Sequence, residues 1–278
     1  MSNEMSKTNH SARLTTNMQR ARKLLLLIAP LMGVTVFLVS WEVYVRVSGI
    51  RPLILPRPSV VIGHIVEHPA FYWKHGSFTL LEASAGFFLA FFVAVFVATL
   101  MVHSEFMQRA TMPVVVIVQS MPVVVLLPLF LLWFGFSPWP KIITAMLFTW
   151  VPFVTNALTG LRSVDTSTHE LFKSVNATRW EIYWRLRIPN SLPYLFSAGR
   201  VCVGLALMGA VVAEFFLSKD GLGHTAYVAY SRLLVEQLWG SVIVLAFMGV
   251  TIVLLLNAVE QKMLYWHPSQ HERNHPAK

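Results

Sequence analysis

The sequence predicts an all-α, polytopic membrane protein with about six transmembrane helices. Three observations carry this. Of 278 residues, 55% are hydrophobic and only 13% charged, whereas a soluble domain carries about 25% charge. The apolar residues come in long blocks, not in the alternating stripes of half-buried elements. Each block is close to the ~20 residues a helix needs to cross the hydrocarbon.

Residues 1–23 form a polar tail with Lys7, Arg13, Arg20, Arg22 and Lys23. The apolar run that follows is too long for a signal core and has no small-residue cleavage site, so a retained first span is expected at 24–45. A proline-rich external segment comes next, with Pro52, Pro56 and Pro58 ahead of an amphipathic stretch, 59–67, that predicts a short surface helix. The second span is expected at 80–102 and the third at 113–134. The third contains Pro113, Pro122 and Pro128. Proline removes a backbone donor and kinks a helix. Membrane helices tolerate such breaks where neighbours or a wet cavity satisfy the freed carbonyls. Pro122 and Pro128 therefore mark a candidate translocation path, although a bent packing helix reads the same way. The remaining spans fall at 142–161, 192–217 and 238–262. Gly221 and Gly223 open a further external segment reaching about residue 237. The membrane domain thus covers 24–266, with a polar loop at 162–191 and a polar tail at 267–278.

An even number of spans places both termini on one side. Of the 22 Lys and Arg residues, Arg200 lies mid-span. With the N-terminus inside, the inner segments hold two of the remainder for every one outside, as the positive-inside rule requires. Both termini and the 162–191 loop are then cytoplasmic, in a multi-pass inner-membrane protein. The net charge of +9 is explained by these flanks, and no nucleic-acid recognition module is visible.

The most informative stretch is 165–189. Ser167 and Glu170 have the spacing of a capping box, as do Thr178 and Glu181. Asn176 lies between them and tolerates the left-handed turn conformation. The pattern predicts helix, turn, helix and a stop at Pro189. Leu171, Phe172 and Val175 share a face of the first helix; Trp180 and Trp184 share one of the second. Apolar anchors ringed by Arg and Lys suit a protein interface, or else pack onto the protein's own helix ends.

This stretch resembles the cytoplasmic signature loop of binding-protein-dependent ABC importer permeases. That pattern is Glu-Ala-Ala, three residues, Gly, nine residues, then Ile-x-Leu-Pro. Here Glu170, Leu171 and Phe172 hold the first three positions, Asn176 replaces Gly, and Leu186, Ile188 and Pro189 close the motif. The spacing is kept; the Ala-Ala pair and the Gly are replaced. Residues 160–165 and 187–196 also look like this family, and the likeness runs from about Glu82 to Glu260. It is nearest the branch handling nitrate, sulfonates, taurine and thiamine-precursor or related pyrimidine solutes. The resemblance implies the type I importer architecture, with a coupling helix at 170–176 seated on a separate ATPase. It further implies a second permease subunit, expected as a homodimer, and a periplasmic solute-binding protein. ATP and Mg would be held by the partner ATPase, with no cofactor on this chain, which has no Gly-x-x-x-x-Gly-Lys-Ser/Thr phosphate loop.

Within the spans, Glu214 is a candidate path or gate residue, because an ionisable group in a membrane defaults to function; a helix–helix hydrogen bond explains it as well. Arg200 either snorkels inward or pairs with an acid elsewhere. Glu42 and Glu82 fall near span ends and read as interfacial. Gly204, Gly209 and Ala213 give the fifth span a small-residue surface, a candidate subunit interface that close packing inside the chain explains nearly as well. His64 and His68 are four apart, with His75 nearby, but lack a firm third ligand, so no metal site is expected. Cys202 is the only cysteine, which excludes internal disulfides. No nucleophile–base arrangement emerges, so the chain is not expected to be an enzyme. The alternative reading is an ion-gradient-driven secondary transporter or channel, but the mirrored halves and multiple buried charges of that class are not visible.

Overall fold

Prolines and capping residues set most of the helix boundaries in the computed structural model, which describes residue 29 and residues 32–264. The expected tails at 1–23 and 267–278, and the beginning of the 24–45 span, lie outside the described residues. The chain divides into two units, one up to His64 and one from Ile65 onward.

In the first unit, helix α1 covers residues 32–48. Glu42 in α1 accepts the backbone N–H of Ser59 at 3.1 Å and the Ser59 hydroxyl at 3.0 Å, and pairs with Arg46 at 2.8 Å. These bonds tie the proline-rich turn to α1. Pro58 opens α2 (Pro58–Glu67), where its fixed φ and missing donor suit a first helical turn.

The second unit is built around α3 (Pro69–His103), α6 (Trp139–Arg162) and α9 (Ile188–Leu217). Helix α6 packs along both of the others. Gly86, Ala90, Ala94 and Ala98 recur every four residues on α3 and are buried. A Cβ on Gly86 would sit 2.5 Å from the Ala145 Cβ and 2.7 Å from the Ile142 carbonyl oxygen. The two backbones therefore approach closely, the membrane solution to packing without a hydrophobic drive between helices. Phe153 fills the space beside this stripe, meeting Phe87 and Phe91 edge-on at 5.1 and 5.6 Å. Helix α11 (Val235–Met263) completes the set of long apolar helices.

Four described helices are long and apolar enough to cross a membrane, or five if one bent pair counts as a span. That pair stands where one proline-kinked span is expected at 113–134, and it breaks far more sharply than a kink. Helix α4 (Glu105–Ser120) and the segment Val123–Phe134, which ends in α5 (Leu127–Phe134), meet at 89°. Pro122 sits at the break, preceded by an extended Met121, as the residue before a proline must be. Pro128 is in the first turn of α5, where its missing N–H is harmless.

Several other boundaries also differ from expectation. Helix α3 begins at Pro69 rather than near residue 80, because Lys74 and His75 mark the end of the apolar stretch without ending the helix. Pro189 does not stop a helix. Arg179 to Leu217 form one continuous helical path, passing through a wide turn at Tyr183–Arg187 in which the Ile188 N–H bonds the Tyr183 carbonyl. That five-residue step leaves Pro189 in the first turn of α9, where no donor is needed.

The small residues of α9 are used mainly inside the chain. A Cβ on Gly209 would meet the Ala145 Cα at 2.8 Å, and Ala213 is fully buried against Leu127, Phe130 and Leu217. Neither is free to form a subunit interface. Gly204 alone is exposed, with open space where a Cβ would be. Arg200 pairs with Glu260 of α11 and reaches Asn257, so it bonds an acid instead of snorkelling.

Candidate functional site

The α6–α9 connection is a helix–turn–helix. Helix α7 covers Thr166–Ser174, with Asp165 rather than Ser167 at its N-cap. The Ser167 hydroxyl donates to the Asp165 carboxylate and holds that carboxyl below the usual aspartate range. Ser167 and Glu170 thus do not form the expected capping box, because α7 begins at Thr166 and Ser167 already lies inside it. At the other end of α7, Asn176 has φ of 53°. The Ala177 N–H bonds the Phe172 carbonyl and the Asn176 N–H bonds the Lys173 carbonyl, both at 3.0 Å. This is the Schellman closure, with Asn in the position glycine usually takes.

The second capping box forms. The Thr178 hydroxyl accepts the Glu181 N–H at 3.3 Å, and the Glu181 carboxylate accepts the Thr178 N–H at 2.9 Å. Helix α8 (Arg179–Ile182) then runs into the wide turn that holds Leu186 and on to Ile188 and Pro189 at the head of α9. Tyr183 is buried and its hydroxyl meets Thr99 of α3 at 2.7 Å. Asn190 donates to Ser163 at 2.9 Å. Both ends of the loop are thereby bolted to long helices.

The loop leaves four large apolar side chains uncovered. Leu171 and Val175 are 62% and 69% exposed, and Trp180 and Trp184 are 65% and 52% exposed. The two indoles meet edge-on at 5.6 Å, and Trp180 stacks on Tyr183 at 5.7 Å. Glu170 is exposed and Phe172 half-buried. The structure therefore brings the motif residues of α7 onto one short helix. Leu186, Ile188 and Pro189 are separated from it and belong to the anchoring segment.

At the opposite end of α9, Glu214 is fully buried. Its carboxylate accepts the Gly223 N–H at 2.6 Å, while Thr79 of α3 accepts the Leu222 N–H at 2.8 Å and His75 accepts the Gly221 N–H at 3.2 Å. These side chains cap α10 (Leu222–Ser231), which has no cap of its own. Gly221 has φ of 103°, and a Cβ there would lie 2.3 Å from the Glu214 carboxyl carbon. Only glycine fits. Glu214 thus faces the first turn of α10 and not an open passage, which favours the hydrogen-bonding alternative.

Glu82 is not interfacial. It is buried and pairs with Lys141 at 2.6 Å, both side chains less than one-tenth exposed. Lys141 also donates to Ser218 at 3.2 Å. Sequence reasoning missed this pair because both residues fell at the margins of spans drawn too short. Glu82 and Glu214 are electrostatic neighbours, and each keeps one buried oxygen without a hydrogen-bond partner.

A set of long apolar helices, one pair broken at proline and two joined by a polar loop, defines a multi-pass membrane protein. The chain belongs to the family described as binding-protein-dependent transport system inner membrane components, which residues 86–262 match; it is an ABC-type importer permease. It is 30% identical over 247 residues to a formylaminopyrimidine transport permease protein of Halalkalibacterium halodurans, covering 87% of this chain and 96% of that one. A riboflavin transport system permease protein of Chloroflexus aurantiacus is 31% identical, over 84% of this chain and 87% of its own length. A taurine transport system permease protein of Escherichia coli is 26% identical, over 93% and 95%. In fold, the chain is similar to the MetNI methionine ABC transporter solved in inward-facing conformations. The TM-score is 0.60 at 15% identity, covering 75% of this chain and 98% of that one.

Proposed function

We propose that this chain is the membrane-spanning permease of an ATP-driven importer that moves a small solute by alternating access. Helix α7 takes the thrust of a separate ATPase subunit. The observation that carries this is the pairing of a locked loop with an exposed apolar surface. Its central turn is fixed by the Asn176 closure and the Thr178–Glu181 box, while Leu171, Val175, Trp180 and Trp184 stay exposed. A lever must be stiff at its joints and sticky at its contact, and a slack loop would absorb the displacement. ATP and Mg bind on the ATPase, and this chain holds no cofactor. The loop and both termini face the cytoplasm, following the basic residues.

The cargo belongs with nitrate, sulfonates, taurine or pyrimidine and thiamine-precursor solutes. It reaches the opposite face on a periplasmic binding protein. A second copy of the chain completes the path, meeting the first along the exposed Val201, Gly204 and Met208 edge of α9. Pro122, at the 89° break, and Pro128, in the first turn of α5, form a movable joint beside that path. Glu214 acts as a latch on α10.

The test is the double variant Glu170→Arg, Phe172→Asp. Co-purification of the ATPase and uptake are each expected to fall at least tenfold, while the variant still inserts and folds. Undiminished pairing and uptake would overturn the reading. So would uptake that collapses with a protonophore while ATP stays high.

A further inference from the structure

Beneath the loop lies a cavity of about 310 Å³, lined by His103, His169, Lys173, Arg179 and Arg187 together with Val102 and Ile182. It adjoins a second of about 240 Å³, which shares His169 and Arg187 and adds Arg162. No Asp or Glu lines either one. A single water occupies about 30 Å³ of liquid, so there is room for a polyatomic ligand. Lys173, Arg179 and Arg187, from α7, α8 and the head of α9, repel one another, and Arg162 lies close enough to Arg187 to oppose its charge. The carboxylates nearest in sequence, Asp165, Glu170 and Glu181, stand outside the lining of both cavities.

We infer that this cavity binds a phosphate-bearing anion. Three permanent cations, two of them forked guanidiniums, match phosphate oxygens better than they match a single carboxylate. Nothing in this conflicts with a protein docked on the loop. Thr166, His169 and Lys173 occupy one side of α7, and Leu171 and Val175 lie on the far side at 100° per residue. The cavity is thus formed by the inner side of the loop, and the outer side remains free for a partner. A bound anion would bridge α7 to α3 and α9 and stiffen the loop from within.

The test uses the full-length chain in nanodiscs of phosphatidylcholine, titrated with pyrophosphate at constant ionic strength. Binding should be saturable and should slow hydrogen exchange across α7. Lys173→Gln and Arg187→Gln should each weaken it at least roughly tenfold, the loss of one charge-assisted contact. Lys173 is exposed, so its variant keeps the test valid if Arg187→Gln fails to fold. Arg109→Gln, at an exposed residue paired with Glu105, should bind as the parent does. Discs doped with phosphatidic acid separate the two sources of phosphate. If doping alone protects α7 and abolishes the titration, the ligand is a lipid headgroup; if the titration is unchanged, it is a soluble phosphate. The inference is overturned if pyrophosphate acts no differently from chloride of equal ionic strength. It is also overturned if the Lys173→Gln, Arg187→Gln double variant binds as the parent does, or if a triglutamate peptide binds as well as pyrophosphate.

Discussion

Lys141 illustrates how a single charge is tolerated in the apolar interior. Its partner Glu82 sits 2.6 Å away, and both side chains are excluded from solvent. Lys141→Met would strand a buried carboxylate, which costs about 3–5 kcal/mol. The double variant Glu82→Leu, Lys141→Met removes both charges and should recover most of that loss, since a buried ion pair is worth little over an apolar one. Thermal unfolding in detergent would read both, and equal destabilisation by the single and double variants would show that Lys141 is needed for the neighbouring Glu214 as well as for Glu82. Gly221 makes a related point. Its positive φ and the Glu214 carboxyl against its backbone leave no room for a side chain, so the latch on α10 depends on a residue defined by what it lacks.

At the scale of the element, the α7–α8 loop is stiff because each of its ends is closed by a different device. Asn176 accepts the left-handed conformation that most residues avoid at a cost of roughly 1–2 kcal/mol. Asn176→Gly should therefore leave the loop intact, whereas Asn176→Val should loosen it by about that amount. Hydrogen exchange over residues 166–182 would report the change, with the valine variant exchanging faster and the glycine variant unaltered. Equal protection in all three proteins would show that the turn is held from elsewhere. The Asn176 turn and the Thr178–Glu181 box are both visible in the sequence, because each is set by spacing along a few residues. Ser167 carries the spacing of a cap but not the place of one, because α7 begins a residue earlier, after Asp165. The wide turn at Tyr183–Arg187, which lets a proline begin α9 instead of ending a helix, has no short-range signature at all.

At the scale of the whole molecule, the decisive claim is on which side the loop lies. Cys202 is buried, so a cysteine introduced at exposed Ser174 can be labelled without removing the native one. Impermeant maleimide should label Ser174→Cys in inverted vesicles and not in right-side-out cells; the reverse pattern would overturn both the orientation and the proposed coupling. By itself, the sequence determined the membrane class, the proline kinking of the third span and the motif spacing of the loop. All of these follow from composition and local chemistry. Tertiary structure alone decided that Gly209 and Ala213 serve the contacts of α9 within the chain, leaving Gly204 outward. It also decided that Glu82 finds Lys141, that Glu214 caps α10, and that scattered basic residues converge beneath α7. Each of these joins residues far apart in the chain, and such pairings are chosen by how helices pack, which no local pattern of residues records.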